Sequence, residues 1–189
     1  MSVIDIFNKT NKYDIIYADP PWEYKQSGTA KYTRGMAKCH YPTMTTDDIC
    51  KLPVRNIAKD DTILLMWATF PNFTEAIRVI EEWGFIYKTA AFVWVKKNKK
   101  SDSLFWGMGA YTRANAEVCL IAVSKKTKAT KVVKSHAVHQ IVLSPIEEHS
   151  KKPNEVRKRI SDLFGEVSKI ELFARKQVKN WDCWGNEAG

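Results

Sequence analysis

Asp19-Pro20-Pro21-Trp22 stands directly after the apolar run Ile15-Ile16-Tyr17-Ala18, and this junction constrains the fold more than any other stretch. Tyr13 to Ala18 reads as a buried strand. Two consecutive prolines, which hold φ near about −65° and carry no N–H donor, impose a turn immediately after it. The turn sets a carboxylate and backbone carbonyls at a strand end, so Asp19 and the Pro20 carbonyl can both accept from one NH₂ group. Trp22 adds a face on which a planar ring can stack. Taken alone, the four residues also suit a plain proline-rich turn with an exposed aspartate.

The rest of the chain alternates strands with helices. Thr45-Thr46-Asp47-Asp48 caps a short helix carrying Ile49 and Leu52, which Pro53 terminates. Thr62 to Thr69 is a continuous apolar run, the pattern of a central strand covered on both faces. Asn72 and Glu75 resemble a capping pair for a helix whose Phe73, Ala76, Ile77 and Ile80 recur at helical spacing until Gly84. Strands are expected from Tyr87 to Val95, Ala116 to Ser124 and, shorter, Gln140 to Leu143. Pro153 opens a helix with Val156, Ile160, Leu163 and Phe164 on one face and Gly165 after it. Lys169 to Arg175 is the last strand. This order predicts an α/β sheet, mostly parallel, with ligands at the carboxyl ends of its strands.

With 189 residues, 44% apolar and 12% aromatic, the chain suits one folded domain spanning 1–189. No apolar run approaches the about 20 residues that span a bilayer, and Met1 to Thr10 lacks a signal pattern, so a cytoplasmic protein without a membrane partner is expected. Cys39, Cys50, Cys119 and Cys183 have no metal-ligand spacing and read as reduced thiols; His136 and His139, three apart, read as solvated rather than metal-binding. The net charge of +9 points to a polyanionic partner, most simply nucleic acid. Its bases fall in clusters: Lys96, Lys97, Lys99 and Lys100; Lys125, Lys126, Lys128, Lys131 and Lys134; Lys151, Lys152, Arg157, Lys158 and Arg159. Most of the seven tryptophans, Trp67, Trp83 and Trp94 among them, read as core or boundary residues, and Trp22 and Trp106 are the two candidates for base stacking.

Several separated motifs share one order: Tyr17-Ala18-Asp19-Pro20-Pro21-Trp22, Tyr41-Pro42-Thr43-Met44, Trp94-Val95-Lys96, Glu117-Val118-Cys119-Leu120, Lys152-Pro153-Asn154-Glu155, Ile170-Glu171-Leu172-Phe173-Ala174-Arg175, and Asn180-Trp181 through Trp184-Gly185-Asn186-Glu187. With them the chain resembles the messenger-RNA adenine-N6 methyltransferase (MT-A70-like) family, and within it the compact phage and bacterial enzymes that methylate adenine in DNA. The resemblance implies a Rossmann-like S-adenosylmethionine-dependent methyltransferase fold in the permuted arrangement, the catalytic tetrapeptide preceding the cofactor-binding strand. It implies Asp19, Pro20, Pro21 and Trp22 as catalytic residues. It implies Asp19, Lys152, Glu171, Phe173, Arg175, Asn186 and Glu187 around S-adenosylmethionine, with Lys152 meeting the methionine carboxylate and Arg175, Asn186 and Glu187 the ribose or adenine. By themselves, Glu171 and Arg175 equally suit a surface ion pair at a strand end. Gln177 and Val178 stand near where the messenger-RNA enzymes carry His-Asn, and Glu187 replaces their Gln, which weighs against RNA.

The chemistry implied is methyl transfer to the N6 amine of an adenine drawn out of its stack beside Trp22. Asp19 orients the amine and stabilises positive charge developing on it. Residues 23–40 suit a lid over the base and equally a plain mobile loop. Expected nucleic-acid contacts are Tyr24, Lys25, Lys31 and Arg34 in that segment, Lys97, Lys99, Lys100 and Trp106 in the loop 96–115, and Lys125, Lys126 and Lys128 in the loop 125–139. Duplex DNA is the expected partner and a homodimer is compatible with gripping it. The alternatives are an RNA adenine-N6 methyltransferase, or a catalytically silent nucleic-acid-binding subunit, a class that typically loses the tetrapeptide kept here.

Overall fold

The computed structural model describes residues 3–8, 11–23, 43–109, 111–125, 132–148 and 151–185. In chain order the elements are β1 (Tyr13–Ala18), α1 (Thr46–Cys50), β2 (Ala58–Ala68), α2 (Phe73–Glu82), β3 (Phe85–Lys97), β4 (Ala116–Ser124), β5 (Ile141–Pro145), α3 (Glu155–Phe164), β6 (Lys169–Leu172) and β7 (Asp182–Trp184). The strands form one sheet in the order β5-β3-β4-β2-β1-β6-β7. Every pairing is parallel except those of β4, which runs antiparallel to both β2 and β3.

Period-two alternation along the central strands supplies two cores. Ile16, Ala18, Leu64, Met66 and Leu120 face one way and pack on Ile49 of α1 and Ala76, Val79, Ile80 and Trp83 of α2. Ile15, Tyr17, Ile63, Leu65, Trp67 and Cys119 face the other way onto Val156, Ile160 and Phe164 of α3. Burial on both faces is why β1 and β2 read as continuous apolar runs. Thr45 caps α1 as expected, its hydroxyl accepting from the Asp48 N–H at 3.2 Å. Pro153 and Gly165 bracket α3, with Gly165 at φ 78° where the helix stops.

Four expectations are corrected. Asn72 does not cap α2: it lies in a 3₁₀ turn, Phe70–Asn72, at φ −100° and ψ 15°, away from the extended conformation a capping side chain needs. The last strand stops at Leu172 rather than Arg175, because Phe173 adopts a left-handed φ of 61° that breaks the ladder. β2, β3 and β5 extend beyond their expected bounds, since their neighbours pair further than apolarity alone marks. Finally, β7 is added at the sheet edge, three residues being too few to show a period.

This topology positions a crevice. From β1 the chain continues to β2 on one side, whereas the strand on the other side is the distant β6, so the sheet reverses direction of growth between β1 and β6. Loops diverge at such a point and leave room beyond the carboxyl ends of the two strands. Ala18 pairs with Met66 and with Leu172, putting Asp19 at that edge. Because β4 is reversed, its first residues reach the same edge, where Glu117 pairs with Trp94.

Candidate active site

Asp19 leads a chain of alternating charges. The Lys152 ammonium contacts both oxygens of its carboxylate, at 2.8 and 2.9 Å, and lies 3.3 Å from Glu117 Oε2. Lys96 donates to the other oxygen of Glu117 at 2.6 Å. Side-chain exposure falls from 24% for Asp19 to 17% for Lys96, 9% for Glu117 and 7% for Lys152, so Asp19 is the member open to a ligand. The two carboxylates are kept apart in charge terms by the lysine between them. Trp67 carries the cation on its ring, 5.7 Å from Lys152 Nζ, and donates its indole N–H to Tyr17 Oη at 2.6 Å. Lys152 is delivered by the start of α3: Pro153 follows it, and the Pro153 carbonyl accepts from the Val156 N–H at 3.1 Å.

Environment divides the two acids. Burial raises the Asp19 carboxyl above the ordinary carboxylate range, and Glu117 adds to this, while Lys152 and Arg175 only partly oppose it. Burial also pushes Glu117 up, but Lys152 and Lys96 together outweigh it and hold its carboxyl below its usual value. The Lys152 ammonium loses solvation yet stays protonated well above the usual lysine range, because Asp19 and Glu117 both face it. The arrangement therefore has a fixed anion at Glu117 and a softer, solvent-facing acceptor at Asp19.

The turn after Asp19 is tied down locally. The Trp22 N–H donates to the Pro20 carbonyl at 2.9 Å, and the Met44 N–H to the Pro21 carbonyl at 2.9 Å. The Pro20 oxygen thus has one lone pair engaged and one left to accept from a ligand amine. Trp22 is corrected from a stacking face to a core residue: it is 5% exposed and its indole N–H donates to the Trp67 carbonyl at 3.1 Å. Its role here is to fix the turn that aims Asp19. Trp67, Trp83 and Trp94 are core as expected.

At the neighbouring strand end, Phe173 meets Trp184 edge-on with ring centroids 5.3 Å apart, forming an aromatic wall beside the crevice. Arg175 is partly buried and close enough to lower the Asp19 carboxyl. Glu171 is not a surface partner of Arg175. It is buried, and Arg157 of α3 grips both its oxygens at 2.7 and 2.5 Å. Asn186 and Glu187 lie outside the described residues, as do Tyr24, Lys25, Lys31, Arg34, Lys126 and Lys128 and nearly all of the segment read as a lid.

Of the described nucleic-acid candidates, Lys99, Lys100 and Lys125 are exposed, and Trp106 is 71% exposed. Lys97 is tied to Asp102 instead. The cluster from Lys151 to Arg159 is corrected too. Lys152 and Arg157 are in the interior ion pairs above, Lys158 pairs with Asp162 at 2.7 Å, and Arg159 donates to the His139 and Ile141 carbonyls. Sequence reasoning names Lys96 and Glu117 within motifs and Lys96 and Arg157 within basic clusters, but gives none of them a place in the site. A lone acid inside the apolar strand 116–124 was the available signal for Glu117, since a charge there requires a partner. Among the described residues no group of three or more His, Cys, Asp and Glu could hold a metal ion, and no helix is long and apolar enough to cross a membrane.

A mixed α/β sheet with a carboxylate at its reversal point suits a group-transfer enzyme acting on a bound ligand, and comparison with known proteins defines the class as methyltransferase. The MT-A70 family profile matches residues 13–187, so the chain belongs to the MT-A70 family. It is 36% identical over 192 residues to the type II methyltransferase M.MunI of Mycoplasma sp, covering 93% of this chain and 78% of that protein. It is 25% identical over 179 residues to the N(6)-adenosine-methyltransferase catalytic subunit METTL3 of Homo sapiens, covering 93% of this chain and 28% of that protein. The Arabidopsis thaliana N(6)-adenosine-methyltransferase MT-A70-like protein is 24% identical over 178 residues, with 24% of its length covered. The chain thus spans about a quarter of these longer relatives.

Proposed function

We propose that this protein, acting as a single methyltransferase domain in the cytoplasm, transfers a methyl group from S-adenosylmethionine to the exocyclic N6 amine of adenine in duplex DNA, with the target base flipped out of its stack. The observation that carries this reading is Asp19: it is the solvent-facing end of an otherwise buried ion chain, at the carboxyl edge where β1 and β6 part. The sheet order also supports the permuted arrangement, since β6, the proposed cofactor strand, follows β1 in sequence and lies beside it in space.

The donor set fits the cofactor. Asp19 offers an anion toward its cationic side, Lys152 and Arg175 offer positive charge toward a carboxylate, and Phe173 with Trp184 supplies an apolar aromatic wall. Asn186 and Glu187 are proposed to complete the site at the ribose or adenine. When bound, the cofactor supplies an electrophilic methyl group.

What the chain contributes is orientation and charge. An aromatic amine is a weak nucleophile because its lone pair is delocalised into the ring. Asp19 and the free lone pair of the Pro20 oxygen accept its two hydrogens, turning the nitrogen lone pair out of conjugation. Positive charge developing on N6 is met by the Asp19 carboxylate, and the surplus N6 proton leaves after the methyl is transferred. Lys152 keeps Asp19 ionised for this task and Glu117 keeps Lys152 in place.

Duplex DNA is preferred because the match to the bacterial type II methyltransferase is stronger and covers most of it, and because Gln177 and Glu187 depart from the messenger-RNA pattern. RNA is the second reading, favoured by the N(6)-adenosine methyltransferases among the relatives. Transfer of labelled methyl to mixed-sequence duplex DNA, single-stranded DNA and RNA, with Asp19→Ala alongside, separates them. Label in adenine of duplex DNA and none with the folded variant is expected; label on RNA alone moves the assignment to RNA, and undiminished turnover by Asp19→Ala ends it.

A further inference from the structure

The segment joining β3 to β4 is an arm that neither core explains. After Lys97 the chain turns through 98–103 and comes back, the Phe105 N–H donating to the Lys96 carbonyl at 2.8 Å. It then doubles again: the Ala114 N–H donates to the Gly107 carbonyl at 3.2 Å, and the Lys96 N–H to the Asn115 carbonyl at 2.8 Å. The two limbs touch so closely that a Cβ on Gly107 would collide with the Ala114 carbonyl, and one on Gly109 with the Thr112 carbonyl. Close approach of backbone is what these glycines are for. In its described residues, 98–109 and 111–115, the arm is a projection rooted at Lys96 and, through β4, at Glu117, both members of the ion chain.

Its end is apolar and uncovered. Trp106 is 71%, Met108 88% and Tyr111 100% exposed, which is unusual clustering for large side chains on one short segment. The Arg113 guanidinium lies 4.6 Å from the Trp106 ring centre, and Lys99 and Lys100 are exposed at the base. Apolar tip residues flanked by cations match the chemistry of a duplex, whose stacked bases are apolar between two rows of phosphate.

We infer that this arm is a wedge that enters the DNA duplex beside the target adenine, Trp106 and Met108 filling the gap the extruded base leaves while Arg113 and the lysines hold the backbone. The inference rests on the DNA reading above. Flipping a base costs unstacking, and side chains that replace the lost stack offset that cost. The root of the arm at Lys96 sets the wedge at a fixed distance from Asp19, coupling extrusion to the acceptors that receive the amine.

The test uses the full chain with Trp106→Ala/Met108→Ala, and Lys99→Ala as a charge control. Each is titrated with a duplex that the wild-type protein methylates and with the same duplex mismatched at the target adenine, where unstacking is already paid. With 2-aminopurine at the target position, fluorescence reports extrusion. The double variant is expected to lose affinity on the order of tenfold, and to lose most of the extrusion signal on the matched duplex while keeping most of it on the mismatched one, whose base leaves the stack at lower cost. Lys99→Ala is expected to weaken both duplexes equally. An extrusion signal that falls equally on the two duplexes in the double variant, or does not fall on either, overturns the wedge. So does a fall in mass by sedimentation with affinity per site unchanged, which would assign the arm to a second copy of the chain. If the wild-type protein methylates RNA and not DNA, the proposed function fails first; a wild type active on duplex DNA beside an unaffected double variant refutes the wedge alone.

Discussion

Burial and Lys152 pull the Asp19 carboxyl in opposite directions, and the balance leaves it above the ordinary aspartate range. A reaction that needs the carboxylate should lose rate as pH falls through that raised value, at higher pH than a solvated aspartate near about 3.9 would give. Lys152→Met removes the cation that opposes burial, and Asp19 then faces Glu117 without a counter-charge. Its acid limb in kcat/KM is expected to move to still higher pH, with a lower plateau; a limb that stays or moves down would show that Lys152 does not keep Asp19 ionised. Asp19 was legible because prolines after an apolar run mark a strand end locally. The fate of Trp22 was not: an indole after a turn is equally suited to stacking on a ligand or packing under the sheet, and only the adjacent Trp67 carbonyl, 45 residues on, decides it.

At the element scale, α3 is clamped to β6 by one buried pair. Arg157 and Glu171 have side-chain exposures of 14% and 8%, and Arg157 lies 5.8 Å from the Tyr17 ring centre. Burial works against the guanidinium charge, but the Glu171 carboxylate outweighs it and raises the Arg157 pKa further above its usual value. Arg157→Met alone leaves a carboxylate buried without its partner and is expected to cost about 3–5 kcal/mol in denaturant unfolding. The double variant Arg157→Met/Glu171→Leu removes both charges and should recover most of that loss; a double variant as unstable as the single would mean the pair is not what the clamp consists of. Reading Glu171 with Arg175 fails for a local reason. The left-handed φ of Phe173 turns the chain, so residues four apart no longer project from one strand.

Across the whole molecule, the 30 Lys and Arg residues overstate the cations available to a polyanion. Lys96, Lys152 and Arg157 neutralise carboxylates in the interior, and Lys97, Lys158 and Arg159 are engaged at the surface. Lys99 and Lys100 remain exposed beside the arm, whereas the exposed Lys125 lies at the opposite end of β4. If each of the two beside the arm contacts one phosphate, replacing Lys99 and Lys100 by Ala should lower the slope of log affinity against log salt by about 1.8 for duplex DNA. Affinity measured from low to moderate salt tests this; an unchanged slope would move the phosphate contacts elsewhere.

Features set by near neighbours could be read from the chain alone: the positions of β1 to β6, where Thr45, Pro153 and Gly165 start and stop helices, and that Asp19 ends a strand. These depend on side-chain period, proline and capping chemistry within a few residues. Which charges meet depends instead on how distant segments pack. Asp19 and Lys152 are 133 positions apart, and Glu117 joins them because one strand is reversed and so presents its beginning at the edge where the others end. No local pattern encodes that reversal. It follows from burying both faces of the central strands at once, which depends on the order in which all seven strands pack.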